Sequence, residues 1–557
     1  MKKYSFLMNI ITLLSIIFIF IGIFSLGYSI IILHYSRSII TFLFSFYFWL
    51  ATLFFGIQSL ALMLSYRRSK YKYSNTVPKS NIFLRSHVKK IAVLVPIYNE
   101  DKDMVARNLM AIHSSASQMV TLYILDDSTN NSSEAIKEIA NRIDAVYIHR
   151  TDRSGYKAGA LNNALKNFVN EEYVSVIDID QMPSHDFIKE VVALLDNNED
   201  VAFVQLPQYY ANTDANVLAE MAQAQQFMFY EILTEGKSIS GSLFSCGTNV
   251  IYRKSALAAV NYFDETNLIE DMATSINMIS MGYRGLYYNK KLVYGRAPVT
   301  MEGYVNQQYR WAAGSIGLIK RIFKNILFKR KYSLAMKIDW LATSLWYLFG
   351  WFYLIFLLSP LFNIFGIYVS ALNIYVYLLA WILYPLILTM TFVLVYMDRG
   401  APLKSVFYNL AANLILFPIS ISATFGVIFK GGRSFKTART GGKLPWYKFS
   451  PQIIIMIVLF VASSMLVYKG GILDIITAFW GFYQFVLLTP VFVLNRASKE
   501  SSLDSSVLKT SPKFINDIKA GKDYARGYKN NNYPGNQNIH ANKIDSITDD
   551  ELFTRFK

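Results

Sequence analysis

Two aspartates separated by a single residue follow a short apolar run near the middle of the sequence. The segment Val176–Gln181 places these acids at Asp178 and Asp180. Carboxylates at this spacing can share a divalent cation with the oxygens of a diphosphate, because Mg²⁺ and Mn²⁺ favour carboxylate and phosphate ligands. We expect Asp180 to hold the metal. The pair is a common pattern, so its meaning depends on the motifs around it.

Side chains suited to a nucleotide follow two earlier apolar runs. Tyr98 offers a ring that can stack on a base, and Glu100 offers a carboxylate that can accept from the base's imino group. Asp127, at the end of the next run, can contact the base or the ribose. The alternatives are a helix-opening loop capped by Asn99 or Asp101, and a capping turn around Asp127.

A segment rich in small residues supplies a positive charge. Arg153–Leu161 is expected to open a helix, where small residues let the backbone approach a ligand and the helix N-terminus favours an anion. Lys157 can therefore reach a phosphate or a base carbonyl. The alternative is an ordinary helix-opening turn with a solvated lysine.

Two later segments have residues that could act on an acceptor hydroxyl. Asp271 stands at the start of a helical pattern, where an acid either caps the helix or takes a proton as a general base. Further along, Gln307 can hydrogen-bond, Arg310 can face a pyrophosphate and Trp311 can stack on a sugar. Interfacial anchoring of Trp and Arg beside a membrane is the alternative.

These residues need a scaffold, and the pattern between them predicts an α/β domain. Strands are expected at Ile91–Val95, Thr121–Leu125, Ala145–Ile148, Tyr173–Ile177 and Ala202–Gln205, with helices such as Met104–Ser115 and Ser133–Arg142 between them. Apolar strands that alternate with helices are typical of a doubly wound, mostly parallel sheet. Ligands bind such sheets at the carboxyl ends of the strands, and the acids fall there.

The regions on either side of this domain have a membrane-like composition. Hydrophobic residues make up 53% of the 557 residues and charged residues only 17%. Long apolar stretches predict about six membrane-spanning helices, since about 20 apolar residues cross a bilayer. The net charge of +17 gathers beside these spans, which the positive-inside rule explains better than nucleic-acid binding does. The single cysteine, Cys246, excludes an internal disulfide framework.

The segment 400–430 is apolar enough to cross a membrane, but basic residues bracket it on both sides. Its asparagines, serines and Pro418 favour an interfacial helix, which leaves both termini in the cytosol. The predicted organisation is two spans in 1–66, a soluble domain in 88–320, an interfacial segment in 321–339, two spans in 340–397, an interfacial helix and loop in 400–448, two spans in 451–494 and a mostly disordered tail in 497–557.

In their order and spacing, the motifs resemble those of the processive family-2 glycosyltransferases: cellulose synthases, cellulose-synthase-like mannan and glucan synthases, hyaluronan synthases and chitin synthases. The resemblance covers about residues 90–445 and includes the PxYNE, DDS, KAG, DxD, ED and QxxRW motifs. It implies a cytosolic GT-A domain inserted in a transmembrane region. It also implies that Asp271 is the base, with an acceptor site at Gln307, Arg310 and Trp311 and a diphosphate–metal site at Asp178 and Asp180.

The resemblance brings in further residues. Cys246 and Gly247 belong to a segment that resembles the acceptor-side loop, and Glu270 is the first acid of the ED motif. Ile269 replaces the threonine that precedes this motif in the family. A gating loop is expected between the later spans, at Phe435, Lys436, Thr437 and Arg439, although its threonine follows the phenylalanine by two positions rather than three. The PilZ domain and RxxxR signal of bacterial cellulose synthase do not occur in the tail after the last predicted span, so activation by cyclic di-GMP is not expected.

The implied activity is inverting transfer of sugar from a UDP- or GDP-sugar onto a growing polysaccharide at the cell membrane, with Mg²⁺ or Mn²⁺ as cofactor. The alternatives are a non-processive transferase that adds one sugar to a lipid carrier or glycolipid, and a transporter without transfer activity. The sugar, its linkage and any accessory secretion subunits are left open. Aromatic residues of the spans either line a polysaccharide channel or pack and face lipid: Trp340, Trp346, Tyr347, Trp351, Tyr377, Trp381 and Tyr384.

Overall fold

The computed structural model describes residues 2–33, 38–76, 91–115, 120–184, 187–430 and 442–495. Its α-helices are α1 (Lys2–Leu33), α2 (Ile39–Thr76), α3 (Lys102–Ser115), α4 (Ser133–Arg142), α5 (Tyr156–Asn167), α6 (Phe187–Asp196), α7 (Val217–Met228), α8 (Glu235–Ser240), α9 (Lys254–Ala259), α10 (Glu270–Ser280), α11 (Met301–Gly317), α12 (Ile319–Ile322), α13 (Leu334–Leu345), α14 (Phe349–Ile364), α15 (Ile374–Asp398), α16 (Lys404–Ile415), α17 (Phe417–Lys430), α18 (Ser450–Lys469), α19 (Ile472–Leu488) and α20 (Val491–Leu494). Its strands are β1 (Ile91–Ile97), β2 (Val120–Asp126), β3 (Val146–His149), β4 (Tyr173–Val176), β5 (Met182–Pro183), β6 (Val201–Gln205), β7 (Tyr209–Tyr210), β8 (Val250–Arg253), β9 (Arg284–Tyr287) and β10 (Val293–Gly295).

Seven strands form one sheet in the order β3-β2-β1-β4-β8-β6-β9, and β5, β10 and β7 form a small second sheet. Every pairing in the large sheet is parallel except those of β8, which runs antiparallel to both β4 and β6. The sheet is therefore mostly parallel, as predicted, but mixed. All five predicted strands are present, with ends that differ by at most two residues.

Helices cover both faces of the large sheet, and β1 explains why. Its residues alternate between two buried clusters, because successive side chains of a strand point to opposite faces. Ile91, Val93 and Val95 pack with α3, α4 and α6, whereas Ala92 and Leu94 pack with α5 and α9. A strand that is buried on both faces is apolar throughout, and this is the pattern that the sequence shows.

Seven segments are long and apolar enough to cross a membrane, by length and composition: Tyr4–Ile31, Ile39–Lys70, Leu334–Ile364, Ile374–Asp398, Lys404–Phe429, Trp446–Lys469 and Ile472–Leu494. Six of them coincide with the six predicted spans. The seventh, Lys404–Phe429, is the segment for which an interfacial position is expected.

This seventh segment packs on helices of the α/β domain. On α16, Asn409 donates to the Ala224 carbonyl of α7 at 3.2 Å, and Lys404 pairs with Glu220 of the same helix. On α17, Ala423 packs against Ala312 of α11. Both helices thus join the α/β domain to the apolar helices.

The aromatic residues of the apolar helices are mostly packed against one another. Trp381 lies 4.9 Å from Phe48 and 5.6 Å from Trp480, measured between ring centroids. Tyr384 shares a hydroxyl hydrogen bond of 2.7 Å with Tyr353. In the described residues these side chains therefore contribute to packing.

Candidate active site

Most of the predicted site residues meet at one edge of the large sheet. Strands β1, β2 and β4 end there, followed by the Tyr98, Asp127 and Asp178 segments. Strand β8 begins there, because it is antiparallel and Val250 lies opposite Val176 at the end of β4. The segment before β8, which contains Gly247, is thereby brought to the same edge.

The loop after β1 is tied to the loop after β2. The Asn99 N–H donates to Ser128 Oγ at 2.9 Å, and the Thr129 N–H donates to Asn99 Oδ1 at 2.8 Å. The Tyr98 N–H donates to the Glu100 carboxylate. Asp101 accepts from the Met104 N–H at 2.9 Å and so caps α3, as one alternative for this loop expected.

Asp127 is buried and held by an arginine that sequence analysis did not identify. Arg150 donates through Nε to Oδ1 at 2.9 Å and through Nη2 to Oδ2 at 2.6 Å. This two-bond geometry is the strong form of a guanidinium–carboxylate contact. A contact of Asp127 with a base or ribose remains a prediction.

Lys157 connects two parts of the site and is not a solvated side chain. Its Nζ donates to Asp178 Oδ1 at 2.6 Å and to the Gly247 carbonyl at 2.9 Å. Burial acts to lower the pKa of Lys157, but the carboxylates of Asp178, Glu270 and Asp271 outweigh burial and raise that pKa. Lys157 therefore keeps its positive charge at the centre of the site.

The second acid of the pair, Asp180, lies beside Gln181 and near Tyr210. Gln181 Nε2 donates to Asp180 Oδ1 at 3.2 Å, and the charge of Asp180 acts to raise the pKa of the buried Tyr210 hydroxyl. Among the described residues, no group of three or more His, Cys, Asp or Glu side chains could hold a metal alone. Carboxylate oxygens of this pair nevertheless suit a hard cation that also binds phosphate oxygens.

Asp271 lies in the first turn of α10 and points toward the segment before β8. Its Oδ1 accepts from the Met272 N–H at 2.7 Å. Burial, followed by the charge of Glu270, raises the pKa of Asp271 to about 7, against the opposing charges of Lys157 and Arg310. A carboxylate with such a pKa is suited to accept a proton near neutral pH.

The side chain of Cys246 packs in this site, and its backbone N–H makes a hydrogen bond there. Its N–H donates to Gln205 Oε1 at 2.7 Å. Burial and then the charge of Asp271 raise the pKa of the Cys246 thiol well above its usual range, so the thiol stays protonated. It is therefore poorly suited to act as a nucleophile.

Helix α11 carries the predicted acceptor residues alongside α10. Added to Gly314, a Cβ would lie 2.7 Å from Cγ1 of Ile269, so the glycine lets α11 approach the residue that precedes α10. Arg310 acts electrostatically on Asp271, and Gln307 lies close enough to the Tyr210 hydroxyl to act on its pKa. The remaining predicted residue of this motif, Trp311, is half-buried on the same helix.

The predicted gating-loop residues lie outside the described residues: Phe435, Lys436, Thr437 and Arg439. The chain is described again from Gly442, whose N–H donates to the Glu302 carboxylate of α11 at 3.0 Å. Gly442 is therefore anchored on the helix that carries Gln307 and Arg310.

Three polar residues near this edge were not predicted from the sequence. Arg150 and Arg153 precede the helix of Lys157, and the two basic residues so close to it were the available signal. Tyr210 lies in a two-residue strand, and nothing local in the sequence indicates that its hydroxyl meets Gln307.

Residues 173–426 match the family model described as Glycosyl transferase family group 2. This part of the chain is therefore similar to the family-2 glycosyltransferases, and the resemblance that the motifs indicated is confirmed.

Among curated proteins, the probable glucomannan 4-beta-mannosyltransferase 1 of Arabidopsis thaliana is 28% identical over 258 residues, which are 44% of this chain and 46% of that protein. The UDP-forming cellulose synthase catalytic subunit of Xanthomonas axonopodis pv. citri (strain 306) is 27% identical over 267 residues, 47% of this chain and 36% of that protein. The chain thus spans half or less of the length of these relatives. Among solved structures, a mannosyltransferase from Pyrobaculum calidifontis in complex with GDP-Man and Mn²⁺ is 18% identical with a TM-score of 0.47, over 69% of this chain and 99% of that one.

Proposed function

We propose that this protein is a membrane-embedded, inverting, processive glycosyltransferase that builds a β-linked polysaccharide from a nucleotide-diphosphate sugar. The observation that carries the proposal is the position of Asp271. A half-buried carboxylate with a pKa raised to about 7 stands beside Gly247, at the sheet edge where Lys157 and Asp178 meet. A proton acceptor is thus next to a cluster suited to a diphosphate.

In the proposed step, an acceptor hydroxyl attacks the anomeric carbon of the donor sugar. The new C–O bond forms as the bond between that carbon and the diphosphate oxygen breaks, and its electron pair leaves with the nucleoside diphosphate. The hydroxyl proton goes to the carboxylate of Asp271. One displacement of this kind inverts the configuration at the anomeric carbon.

Positive charge near the leaving group favours this step. Arg310 and Lys157 both lie close enough to Asp271 to act on its pKa, so a diphosphate in this site would lie between cations. Asp180, with Asp178, would hold Mg²⁺ or Mn²⁺. When bound, the cation would neutralise charge that develops on the diphosphate.

The donor is proposed to be a UDP- or GDP-sugar. Tyr98 and Glu100 follow β1 at the same edge as Asp178, in a position suited to the base. The bacterial relative is described as UDP-forming, and the plant relative as a mannosyltransferase. These descriptions support a hexose donor and leave both nucleotides as candidates.

The proposal that synthesis is processive, and that the product is exported across the membrane, depends on the contact between the α/β domain and the apolar helices. Helix α11, which carries Gln307 and Trp311, packs against α17, and Gly426 lies against the Tyr309 hydroxyl at that contact. A product held at Gln307 and Trp311 would thus stand at the bilayer. We propose that α16 and α17 are interfacial, that six helices span the cell membrane and that the catalytic domain is cytosolic.

The test uses purified full-length protein with a panel of UDP- and GDP-sugars. Released nucleoside diphosphate is measured with Mg²⁺, with Mn²⁺ and with EDTA. Asp271→Asn should lower transfer by about 10²–10⁴-fold, because it removes the proton acceptor. Asp144→Asn is the control, since Asp144 is an exposed turn residue with positive φ that asparagine tolerates. Full activity of Asp271→Asn would overturn the assignment of the base.

The product separates the processive reading from its alternative. Products longer than a few sugars, formed while most acceptor remains unextended, support the polysaccharide synthase. A single added sugar on a lipid or glycolipid acceptor would support the non-processive transferase instead.

A further inference from the structure

The nucleotide end of the site contains a second arginine, Arg153, in an unusual position. Its Cζ lies 3.7 Å from the centroid of the Tyr98 ring. At this distance the guanidinium is in contact with the face of the ring that is suited to a base. A base that stacks on this face must therefore displace Arg153 or insert beneath it.

The loop that carries Arg153 is fixed on both sides. Arg150 donates to the carbonyls of Ser154 at 3.2 Å and Tyr156 at 3.0 Å while it holds Asp127. Asp152 accepts from the N–H and the hydroxyl of Ser154 at 2.9 and 2.8 Å. Because the backbone is held before and after Arg153, its place over Tyr98 is set by the loop.

Lys157 already has hydrogen-bond partners in the site, whereas one N–H group of Arg153 has none among the described residues. Lys157 is bound to Asp178 and to the Gly247 carbonyl. The Nε of Arg153 is buried and finds no hydrogen-bond partner within the described part of the chain. Buried donors normally have an acceptor, so an acceptor that arrives with a ligand is the simplest way to satisfy this one.

We propose that Arg153 is a base-contacting residue of the donor site. When a nucleoside diphosphate binds, the base takes the Tyr98 face and the guanidinium moves onto the outer face of the base. From there its N–H groups donate past the edge of the base to an oxygen of the ribose or the diphosphate. Guanidinium planes stack on bases, and the ribose and diphosphate of both UDP and GDP carry oxygen acceptors. This inference rests on the proposed function in one respect, that the site binds a nucleotide.

The experiment measures the Kd of UDP and of GDP for the purified full-length protein by calorimetry, in Mg²⁺ or Mn²⁺. Arg153→Ala should raise the Kd of the preferred nucleotide about ten-fold, because stacking and a charge-assisted hydrogen bond are lost together. Arg153→Lys keeps the charge without the plane and should recover only part of the affinity. In turnover with the matching donor, the KM should rise more than kcat falls.

Arg142→Ala is the matched control. It removes the same charge from the same domain, but Arg142 is exposed on α4, where its ion pair with Glu138 is 3.8 Å long and contributes little. Its Kd values should equal those of the unmodified protein. Thermal unfolding of each variant checks its fold, and Arg153→Lys carries the test if the alanine variant does not fold.

An unchanged or tighter Kd in Arg153→Ala, with the fold intact, would overturn the inference while leaving the glycosyltransferase proposal standing. Failure of the unmodified protein to bind either UDP or GDP would overturn both. Binding of a nucleotide without sugar transfer would contradict only the proposed function.

Discussion

Gly247 lies so close to Asp271 that a methyl group on its Cα would come within 2.8 Å of the carboxylate Oδ2. The glycine also has a φ of +76°, which L side chains rarely adopt. Two constraints therefore act at Gly247: its backbone has a left-handed conformation, and a side chain there would clash with the carboxylate of Asp271. Its carbonyl, in turn, accepts from Lys157, so this glycine contacts both the proposed base and the cation beside it.

Gly247→Ala should lower sugar transfer about 100-fold, because small displacements of a catalytic group are costly. Release of nucleoside diphosphate is the measurement. Gly241→Ala is the matched control: Gly241 has a φ of +79°, but nothing lies within 4 Å of an added Cβ. Equal losses in the two variants would mean that backbone strain, and not contact with Asp271, causes the defect.

The rate should depend on pH through Asp271. A base works in its deprotonated form, so kcat should rise with pH and level off above a midpoint near the Asp271 pKa of about 7. Glu270 raises this pKa by its negative charge, so Glu270→Gln should move the midpoint to lower pH. The pH profile at saturating donor measures the shift. A midpoint that stays in place, or moves upward, would contradict the proposed coupling of the two acids.

The sequence predicted those parts of the fold and site that depend on local pattern. Strands β1, β2 and β4 are continuous apolar runs buried on both faces, and the acids after them lie at one edge because parallel strands end together. Asp178 was expected at a diphosphate–metal site, and Lys157 was expected to reach a phosphate or a base carbonyl. Both residues lie at this edge, and the structure brings the two side chains into contact.

Other features depend on contacts between distant residues, which local pattern does not encode. The antiparallel direction of β8 follows from pairing Val250 with Val176 across more than 70 residues, and it is what brings Gly247 to the site. The Arg150–Asp127 contact likewise joins the ends of two strands that are separate in sequence. The raised pKa of Asp271 depends on burial, which only the assembled domain provides.

Tyr210 should be a positioning residue for the acceptor side. Its hydroxyl accepts from Gln226 Nε2 at 3.0 Å and also meets Gln307, while Asp180 lies near enough to act on its pKa. Tyr210→Phe keeps the ring and removes these bonds, so Gln307 loses one of its supports. We expect a several-fold higher KM for the acceptor, since one hydrogen bond contributes about 1 kcal/mol.

The control for this prediction is Tyr304→Phe. Tyr304 is likewise buried, and its hydroxyl donates to Gln225 Oε1 at 3.0 Å without a hydrogen bond to Gln307 among the described contacts. Acceptor titrations of both variants, at saturating donor, make the comparison. If Tyr304→Phe raised the acceptor KM as much as Tyr210→Phe, the effect would be one of general packing on α11.

A buried ionic cluster joins the catalytic domain to the apolar helices. Arg399, just after α15, donates to Glu235 at 2.6 Å and to Glu231 at 3.5 Å, and it also donates to Ser69 of α2 at 2.6 Å. The two carboxylates are 2% and 5% exposed, so the guanidinium balances charge that solvent cannot screen. Burial is accordingly the largest of the causes that raise the pKa of Glu235.

Arg399→Met should destabilise the protein by about 3–5 kcal/mol, because it leaves buried carboxylates without their cation. The thermal unfolding midpoint of detergent-purified protein is the measurement. Lys404→Met is the matched control, since Lys404 pairs with Glu220 at an exposed position where an ion pair contributes little. Adding Glu235→Gln to Arg399→Met should restore part of the lost stability, because it removes one of the uncompensated charges. If the double variant melted no higher than Arg399→Met, balance of the Glu235 charge would not be what Arg399 contributes.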